Sequence, residues 1–261
     1  MGRRMKPRAL GSTGIDVSPL GLGTVKIGRN EQVKYPQGFA IPDDVRVVDL
    51  LSLAWELGIN FIDTAPAYGS SEQRLGQLLP HRADWVIMTK VGEIFEQGQS
   101  RFDFSAQHTR KSVENSLKKL KREMIDIGLV HSDGHDMAII NDGAALDELD
   151  RMKQQGLIRA YGMSTKTVEG GLWTVENSDV VMATYNLETD AELPVIERAR
   201  QLNKGVVIKK GLQSGHADSV EDAFRHVLSL AGVSSMIVGT IDTGHLRANV
   251  DICERVTASI D

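Results

Sequence analysis

The sequence predicts a (β/α)₈ TIM barrel with an N-terminal β-hairpin that plugs the bottom of the barrel. Short, β-rich apolar segments alternate eight times with longer amphipathic segments along the 261 residues. Strands that alternate with helices in this way are typical of parallel sheets with right-handed crossovers. Because a barrel of eight such units takes about 250 residues, we expect residues 1–261 to form a single barrel domain.

The hairpin comes first in the chain, because residues 9–10 and 15–17 flank the turn-forming run 11–14. The eight predicted strands cover residues 20–25, 60–63, 85–90, 126–131, 159–164, 180–185, 205–209 and 235–240. The eight predicted helices cover residues 44–57, 71–79, 105–122, 139–155, 165–176, 191–202, 219–230 and 242–255. A long loop rich in glycine and proline follows the first strand at residues 26–42.

An open doubly wound sheet is the alternative fold. Gly21 and Gly23 begin like the glycine-rich phosphate turn of such sheets, but Lys26 stands where its third glycine belongs. The eight units are also nearly equal in length, which favours the barrel.

Composition excludes several classes of protein. Hydrophobic residues make up 41% and charged residues 25% of the chain, as in ordinary globular proteins rather than disordered or fibrous ones. No apolar run approaches the ~20 residues of a membrane-spanning helix, and no secretory signal is recognisable at the start of the chain. The net charge of −5 gives no attraction for nucleic acid. The one cysteine, Cys253, cannot form an internal disulfide, and such scarcity of cysteine fits a cytoplasmic protein. We also expect a monomer or a weak homo-oligomer.

Chemically active side chains follow four consecutive predicted strands. Asp63 ends the second strand and Tyr68 lies just beyond it, while Lys90, His131 and Ser164 end the next three strands. The carboxyl ends of barrel strands converge on one face, where the active sites of such barrels lie. Singly, each residue has an ordinary structural explanation. Together they suggest a site in which an ammonium group lowers the pKa of a phenol.

A family resemblance rests on residues 58–72, which read Gly-Ile-Asn-Phe-Ile-Asp-Thr-Ala-Pro-Ala-Tyr-Gly-Ser-Ser-Glu, and on Leu75-Gly76 beyond them. In this motif, and in shorter matches along nearly the whole chain, the sequence resembles the aldo-keto reductases, of the bacterial type with a short C-terminus. The resemblance implies that Asp63, Tyr68, Lys90 and His131 are the catalytic residues. Hydride would pass from a reduced nicotinamide to the carbonyl carbon of a small molecule. Tyr68 would donate the proton, Lys90 held by Asp63 would lower the pKa of Tyr68, and His131 would orient the carbonyl or relay the proton.

The resemblance also implies a nicotinamide cofactor. Ser164 would contact its carboxamide, residues 211–215 its pyrophosphate, and residues 239–249 its adenosine end. The expected cofactor-binding residues are Gly23, Thr24, Asp63, Ser164, Lys209, Lys210, Gly211, Leu212, Ser214, Gly215, Gly239, Thr240, His245 and Asn249.

The chain departs from the family pattern around this cofactor. Thr165 follows Ser164 where asparagine is usual, Met182 stands in the place of a glutamine, and Lys209 and Lys210 replace a common aromatic residue. We expect one of the two lysines to reach phosphate or ribose, without a basis for choosing between them.

The charged residues near the expected adenosine end bear on the choice between NADPH and NADH. The cation that often binds the 2′-phosphate of NADPH is missing, Asp242 would repel that phosphate, and His245 and Arg247 are the groups able to compensate. We expect NADPH to be favoured on family grounds, with NADH possible.

Two other functions fit the same fold. One is a non-catalytic, nicotinamide-binding regulatory subunit; the other is an aldolase-type enzyme that forms a Schiff base on Lys90 or Lys209. We expect no metal site, although His131 and His135 are closely spaced.

Substrate selectivity is assigned to two loops, at residues 26–42 and 91–104, because few residues remain after the last predicted helix to cover the pocket. The candidate pocket groups are Lys26, Phe95, Arg101, Phe102, Asp133 and His135. We therefore expect a rather open pocket.

Overall fold

The computed structural model describes residues 5–260. Its strands are β1 (Arg8–Ala9), β2 (Asp16–Val17), β3 (Leu20–Gly23), β4 (Phe61–Asp63), β5 (Val86–Val91), β6 (Glu93–Glu96), β7 (Gln99–Phe102), β8 (Ile125–His131), β9 (Ile158–Ser164), β10 (Val180–Thr184), β11 (Gly205–Lys209) and β12 (Ser235–Val238). Its α-helices are α1 (Asp44–Glu56), α2 (Ser71–Leu78), α3 (Ala106–Leu120), α4 (Asp136–Asp142), α5 (Ala144–Gln154), α6 (Val168–Asn177), α7 (Leu193–Gln201), α8 (Val220–Leu228) and α9 (Thr243–Ala258).

Eight of the strands close into a parallel barrel, as the sequence predicts. Around the barrel the order is β3, β4, β5, β8, β9, β10, β11 and β12, and β12 pairs with β3 to complete the circle. These are the eight predicted strands, with bounds that lie within two residues of the prediction. All strand ends that carry the candidate residues therefore meet on one rim.

The N-terminal hairpin closes the opposite end of the barrel. β1 and β2 are antiparallel, and Leu10, Ile15 and Val17 belong to the same buried apolar cluster as the barrel residues Phe61 and Met88. Ser12 N donates to Asn203 O at 2.8 Å, just before β11 begins. The hairpin thus seals the amino ends of the strands and leaves the carboxyl rim as the side open to ligands.

Two local structures differ from the predictions. The predicted helix at 139–155 is a pair of helices, α4 and α5, which meet at Gly143; its φ of +71° lies in the left-handed region that ends helices. The segment 91–104, expected to be a loop, contains an antiparallel hairpin of β6 and β7. Its two-residue turn has positive φ at Gln97 and Gly98, which matches the twist of tight hairpins.

Within residues 5–260, no helix is both long enough and apolar enough to cross a membrane.

Candidate active site

Lys90 is the centre of the residues gathered on the carboxyl rim. Its ammonium group donates to the carboxylate of Asp63, to Thr64 O at 3.1 Å and to Tyr68 Oη at 3.1 Å. Lys90 is 2% exposed and Asp63 is 3% exposed. Because an ammonium has three protons to donate, these contacts use all of them, and the Lys90 side chain is held in one place.

The Tyr68 hydroxyl faces the open end of this cluster. Its oxygen accepts from Lys90, so its own proton is left to be donated into the cavity that Tyr68 lines. Burial raises the pKa of Tyr68 well above its ordinary value, and the Asp63 carboxylate raises it further. The net shift of the Tyr68 pKa is therefore upward, opposite to the lowering expected from Lys90, because burial and the nearby carboxylates outweigh the nearby positive charge. Tyr68 is a protonated phenol at neutral pH.

His131, at the end of β8, contacts an acid that the sequence analysis did not identify. His131 Nδ1 lies 2.8 Å from Glu93 Oε2, and the rings of His131 and Tyr68 meet edge to face with their centroids 6.4 Å apart. Burial lowers the pKa of His131, against the opposing influence of Glu93. Glu93 begins β6, two residues beyond the end of β5, and an acid just beyond a strand end is the signal that was available for it.

Glu93 is in turn held from its other side. Ser100 Oγ donates to Glu93 Oε1 at 2.6 Å, and Arg29 Nη1 lies 3.4 Å from the same oxygen. Burial would raise the pKa of Glu93, but His131, Ser100 and Arg29 together lower it to about 2. Glu93 is therefore a carboxylate at every physiological pH.

Arg29 connects the loop after β3 with the β6–β7 hairpin. It donates to Ala67 O at 3.1 Å, next to Tyr68, and its guanidinium carbon lies 3.4 Å from the centre of the Phe95 ring. This is a cation–π contact. Phe95 thus holds Arg29 and does not line the cavity beside Tyr68.

Two adjoining cavities open on the rim. The inner cavity, of about 270 Å³, is lined by Tyr68, Lys90 and His131 among others. The outer cavity, of about 440 Å³, reaches the start of α9. The predicted residues that line one or both are Gly23, Asp63, Tyr68, Lys90, His131, Ser164, Lys209, Lys210, Leu212, Ser214, Gly215, Gly239, Thr240, His245 and Asn249. Because the two cavities share Lys26, Tyr35 and Gly239, they form one cleft.

Thr24 and Gly211 do not line the cleft. Thr24 Oγ1 donates to Asp63 O at 2.9 Å and so supports the end of β4. A side-chain carbon placed on Gly211 would meet Met236 Sδ at 2.3 Å, so this glycine allows a close approach to β12. These two residues therefore support the strands of the rim without lining the cleft.

Tyr35 is a residue of the cleft that sequence reasoning missed. It comes from the long loop after β3, where nothing in the sequence marks one aromatic residue above another. The Lys26 ammonium lies 4.0 Å from its ring centre, and a side-chain carbon on Gly239 would come within 3.1 Å of its hydroxyl. The loop therefore covers part of the cleft.

The remaining substrate candidates lie in different places. Lys26 lines the cleft, as noted above. Arg101 pairs with Glu96 at 3.5 Å on the surface, and Phe102 stacks on Phe104. His135 has an 81% exposed side chain and lies 3.3 Å from Asp133. Among residues 5–260 there is no cluster of three or more side chains able to hold a metal ion.

Lys209, the last residue of β11, lines the inner cavity. It donates to Ser164 Oγ at 2.9 Å and to Thr165 O. Burial lowers the pKa of Lys209 to about 7, although Glu192 opposes the shift. Thr165 itself donates to Glu192 Oε1 at 3.0 Å, which turns its hydroxyl away from the cavity. Of the groups at the departures from the family pattern, Lys209 is therefore the one that offers a polar contact beside Ser164.

Charge along the cleft fits an anionic nicotinamide cofactor. Among the described lining residues, the charged groups are Lys26, Lys90, Lys209, Lys210 and Asp63, with His245 at the outer end. Asp63 is paired with Lys90. Lys26 and Lys210 therefore meet no lining carboxylate that would compete with a diphosphate.

Comparisons with known proteins identify the family to which the fold belongs. A model of the Aldo/keto reductase family matches residues 19–222. A putative aldo-keto reductase from Pseudomonas aeruginosa superposes with a TM-score of 0.90, at 51% sequence identity and with 98% of both chains covered.

Two curated relatives match part of the chain. The L-galactose dehydrogenase of Arabidopsis thaliana is 34% identical over 169 residues, which are 62% of this chain and 49% of that protein. The NADH-specific methylglyoxal reductase of Escherichia coli is 33% identical over 172 residues, which are 60% of this chain and 51% of that protein. The match thus spans about half the length of each of these relatives.

The buried pair of Lys90 and Asp63 makes a prediction for stability. Breaking such a pair by removing one charge costs about 3–5 kcal/mol, whereas removing both charges costs far less. We expect Asp63→Asn or Lys90→Met alone to lower the free energy of unfolding by an amount in this range, and the double variant to recover much of the loss. Urea denaturation of the four proteins in a double-mutant cycle measures the coupling. Additive losses would show that the two charges do not depend on each other.

Proposed function

Because the chain belongs to the aldo/keto reductase family, we propose that it reduces an aldehyde or ketone to an alcohol with NAD(P)H, and that Tyr68 donates the proton. The observation that carries the proposal is the contact of Lys90 with Tyr68 at 3.1 Å, on a cavity also lined by His131. A reduced nicotinamide bound in the cleft would supply the hydride. Positioned proton donors of this kind contribute about 10²–10⁴ in rate.

Tyr68 carries its proton at neutral pH because burial raises its pKa. As negative charge develops on a carbonyl oxygen, this proton is the one available to neutralise it. The Lys90 ammonium then stabilises the phenolate that is left, and Asp63 keeps the ammonium in place. Lys90 thus acts in the transition state, where the phenol becomes charged, rather than in the resting protein.

For the cofactor, we propose that Ser164 and Lys209 contact the carboxamide end and that Lys210 lies near the phosphates. Support comes from the 2.9 Å bond between Lys209 and Ser164 and from the position of Lys210 on the cleft. Gly239, Thr240, His245 and Asn249 would then lie along the adenosine end, in the outer cavity.

We propose a small preference for NADPH over NADH. Asp242 begins α9 and accepts from His245 N at 2.8 Å, and this bond lowers the pKa of Asp242. Its negative charge therefore lies at the N-terminus of α9, the position where a 2′-phosphate would otherwise be stabilised most by the backbone amides of the helix. His245 and Lys26, which line the outer cavity, are the groups that favour the phosphate; Arg247, expected to compensate with His245, is not among the lining residues.

We also propose a small-molecule substrate, a cytoplasmic location and a monomer or weak homo-oligomer. The curated relatives act on small carbonyl compounds or sugars by their names. Cys253 is fully buried and burial raises its pKa to about 12, so it is protected from oxidation at neutral pH.

Replacing Tyr68 tests the proposed role. We expect Tyr68→Phe to lower kcat for carbonyl reduction by at least about 10²-fold, while the affinity for reduced cofactor changes little. The rate is followed by the loss of the near-ultraviolet absorbance of reduced nicotinamide, and the affinity by its fluorescence. Tyr161→Phe is the matched control, because the Tyr161 hydroxyl donates to Asn177 O and lies outside the cleft. A decrease of only a few-fold in Tyr68→Phe would exclude Tyr68 as the proton donor.

The cofactor preference is tested at Asp242. Asn caps helices as well as Asp does, so Asp242→Asn removes the charge and keeps the start of α9. Since Asp242 is exposed, we expect the affinity for NADPH to rise by about two- to fivefold, as befits a screened surface charge, with no change for NADH. Fluorescence titration with each cofactor measures both affinities. An equal change for both cofactors would contradict the proposed position of the 2′-phosphate.

A further inference from the structure

Lys90 and Lys209 both line the inner cavity, but their ammonium groups have different partners. Lys90 is paired with the carboxylate of Asp63. Lys209 donates instead to two uncharged oxygens, Ser164 Oγ at 2.9 Å and Thr165 O. Because an ammonium has three protons to donate, one of those on Lys209 is left for a ligand in the cavity. A positive charge on Lys209 is therefore felt by whatever binds there.

We propose that Lys209 distinguishes the oxidised from the reduced nicotinamide cofactor, because its ammonium group repels the positive charge that the oxidised ring carries. The reduced ring is neutral and is free of this repulsion. The inference rests on the proposed function, which places the ring beside Tyr68 and Lys209 in the inner cavity. The protein then binds the reduced cofactor more tightly and releases the oxidised one, which suits carbonyl reduction better than alcohol oxidation.

A comparison of the two redox forms isolates the effect of the ring. Both forms carry the same phosphates, so the attraction of these phosphates to Lys26 and Lys210 contributes equally to both affinities. Asp63 and Lys90 form an ion pair, whose field at the ring is smaller than that of a single charge. The difference in affinity between the oxidised and the reduced form therefore reports mainly the charge of Lys209.

The charge of Lys209 changes within the physiological range of pH. Burial lowers its pKa to about 7, and the ammonium groups of Lys210 and Lys166 act in the same direction. The carboxylates of Glu192 and Asp136 oppose this shift. Lys209 is thus charged below about pH 7 and neutral above it, so the repulsion of the oxidised ring is present at low pH and is lost as the pH rises.

The other titratable groups near this lysine do not imitate its effect. Glu192 directs both carboxylate oxygens into the protein, where Oε1 accepts from Thr165 Oγ1 at 3.0 Å and Oε2 accepts from Thr184 N at 2.7 Å. Across the cavity, burial raises the pKa of Tyr68 and lowers that of His131. Both side chains are therefore uncharged at neutral pH. A pH-dependent difference between the redox forms thus points to the lysine.

Three variants separate charge from side-chain shape. Lys209→Met removes the ammonium and keeps an unbranched side chain, whereas Lys209→Arg keeps a positive charge that is not lost at any accessible pH. Lys210→Met is the matched control. Lys210 also lines the inner cavity, and we place it near the phosphates, which the two redox forms share. This control is expected to weaken the binding of both forms by the same factor.

The dissociation constants of NADP⁺ and NADPH are measured by isothermal titration calorimetry at about pH 6.5 and about pH 8.5. At the lower pH we expect the ratio of Kd for NADP⁺ to Kd for NADPH to be about tenfold larger in the wild type than in Lys209→Met, a size between the limits for two charges in water and in a protein interior. At the higher pH the two ratios should approach each other, while Lys209→Arg keeps a large ratio at both. Equal ratios in the wild type and Lys209→Met at the lower pH would overturn the inference.

Proton exchange on binding tests the wild type alone, even if Lys209→Met does not fold. An oxidised ring beside Lys209 favours loss of its proton, and a reduced ring does not. At neutral pH we expect the complex with NADP⁺ to hold about half a proton fewer than the complex with NADPH. Titrations in PIPES and in Tris, which differ in ionisation enthalpy, give the number of protons exchanged. Equal numbers for the two forms would contradict the role of Lys209.

These binding measurements fail differently from the proposed function. Loss of turnover in Tyr68→Phe together with equal ratios in the wild type and Lys209→Met would reject the role of Lys209 and leave the reductase function standing. Absence of binding of both NADP⁺ and NADPH to the wild type would overturn the proposed function, and this inference with it.

Discussion

The buried ammonium of Lys90 is the constraint on which the rest of the site depends. A charge in this position is stable only with a partner, and Asp63 provides it from the neighbouring strand. The barrel sets the strand register that places the two side chains together. The N-terminal hairpin closes the opposite end of the barrel and keeps water out of its interior. The third proton of the ammonium then fixes the hydroxyl of Tyr68. The packing of the rim and the proposed chemistry therefore both depend on the Lys90 ammonium.

The loops add a second layer of control. Arg29 from the loop after β3 and Ser100 from β7 both contact Glu93, which holds His131 from behind. The segment 91–104 therefore contacts His131 through Glu93 and does not line the inner cavity. Tyr35 and Lys26, from the loop after β3, line the cleft itself. We propose that these two segments, which Arg29 connects, determine substrate selectivity.

The predictable and unpredictable parts of the structure have different physical origins. The barrel strands follow from apolar periodicity, which is local in sequence. The rim residues follow from the general rule that the carboxyl ends of barrel strands converge on one face. The β6–β7 hairpin was missed because its strands are short and mostly exposed, so they lack a clear alternation of apolar and polar residues. Glu93 was missed for a different reason, because its contact is with His131, a residue 38 positions away in sequence. The pKa of Tyr68 was expected to fall because the spacing shows the lysine but not how deeply the folded chain buries the phenol beside Asp63.

The central claim is that Tyr68 is held as a protonated phenol by burial and by the nearby carboxylate of Asp63. Its direct test is an ultraviolet titration of tyrosine ionisation in the wild type and in Tyr68→Phe, since the difference between the two curves is the ionisation of Tyr68. We expect this phenol to remain protonated above pH 10, the ordinary pKa of a tyrosine. Ionisation of Tyr68 below pH 10 would show that Lys90 dominates the free site and would contradict the claim.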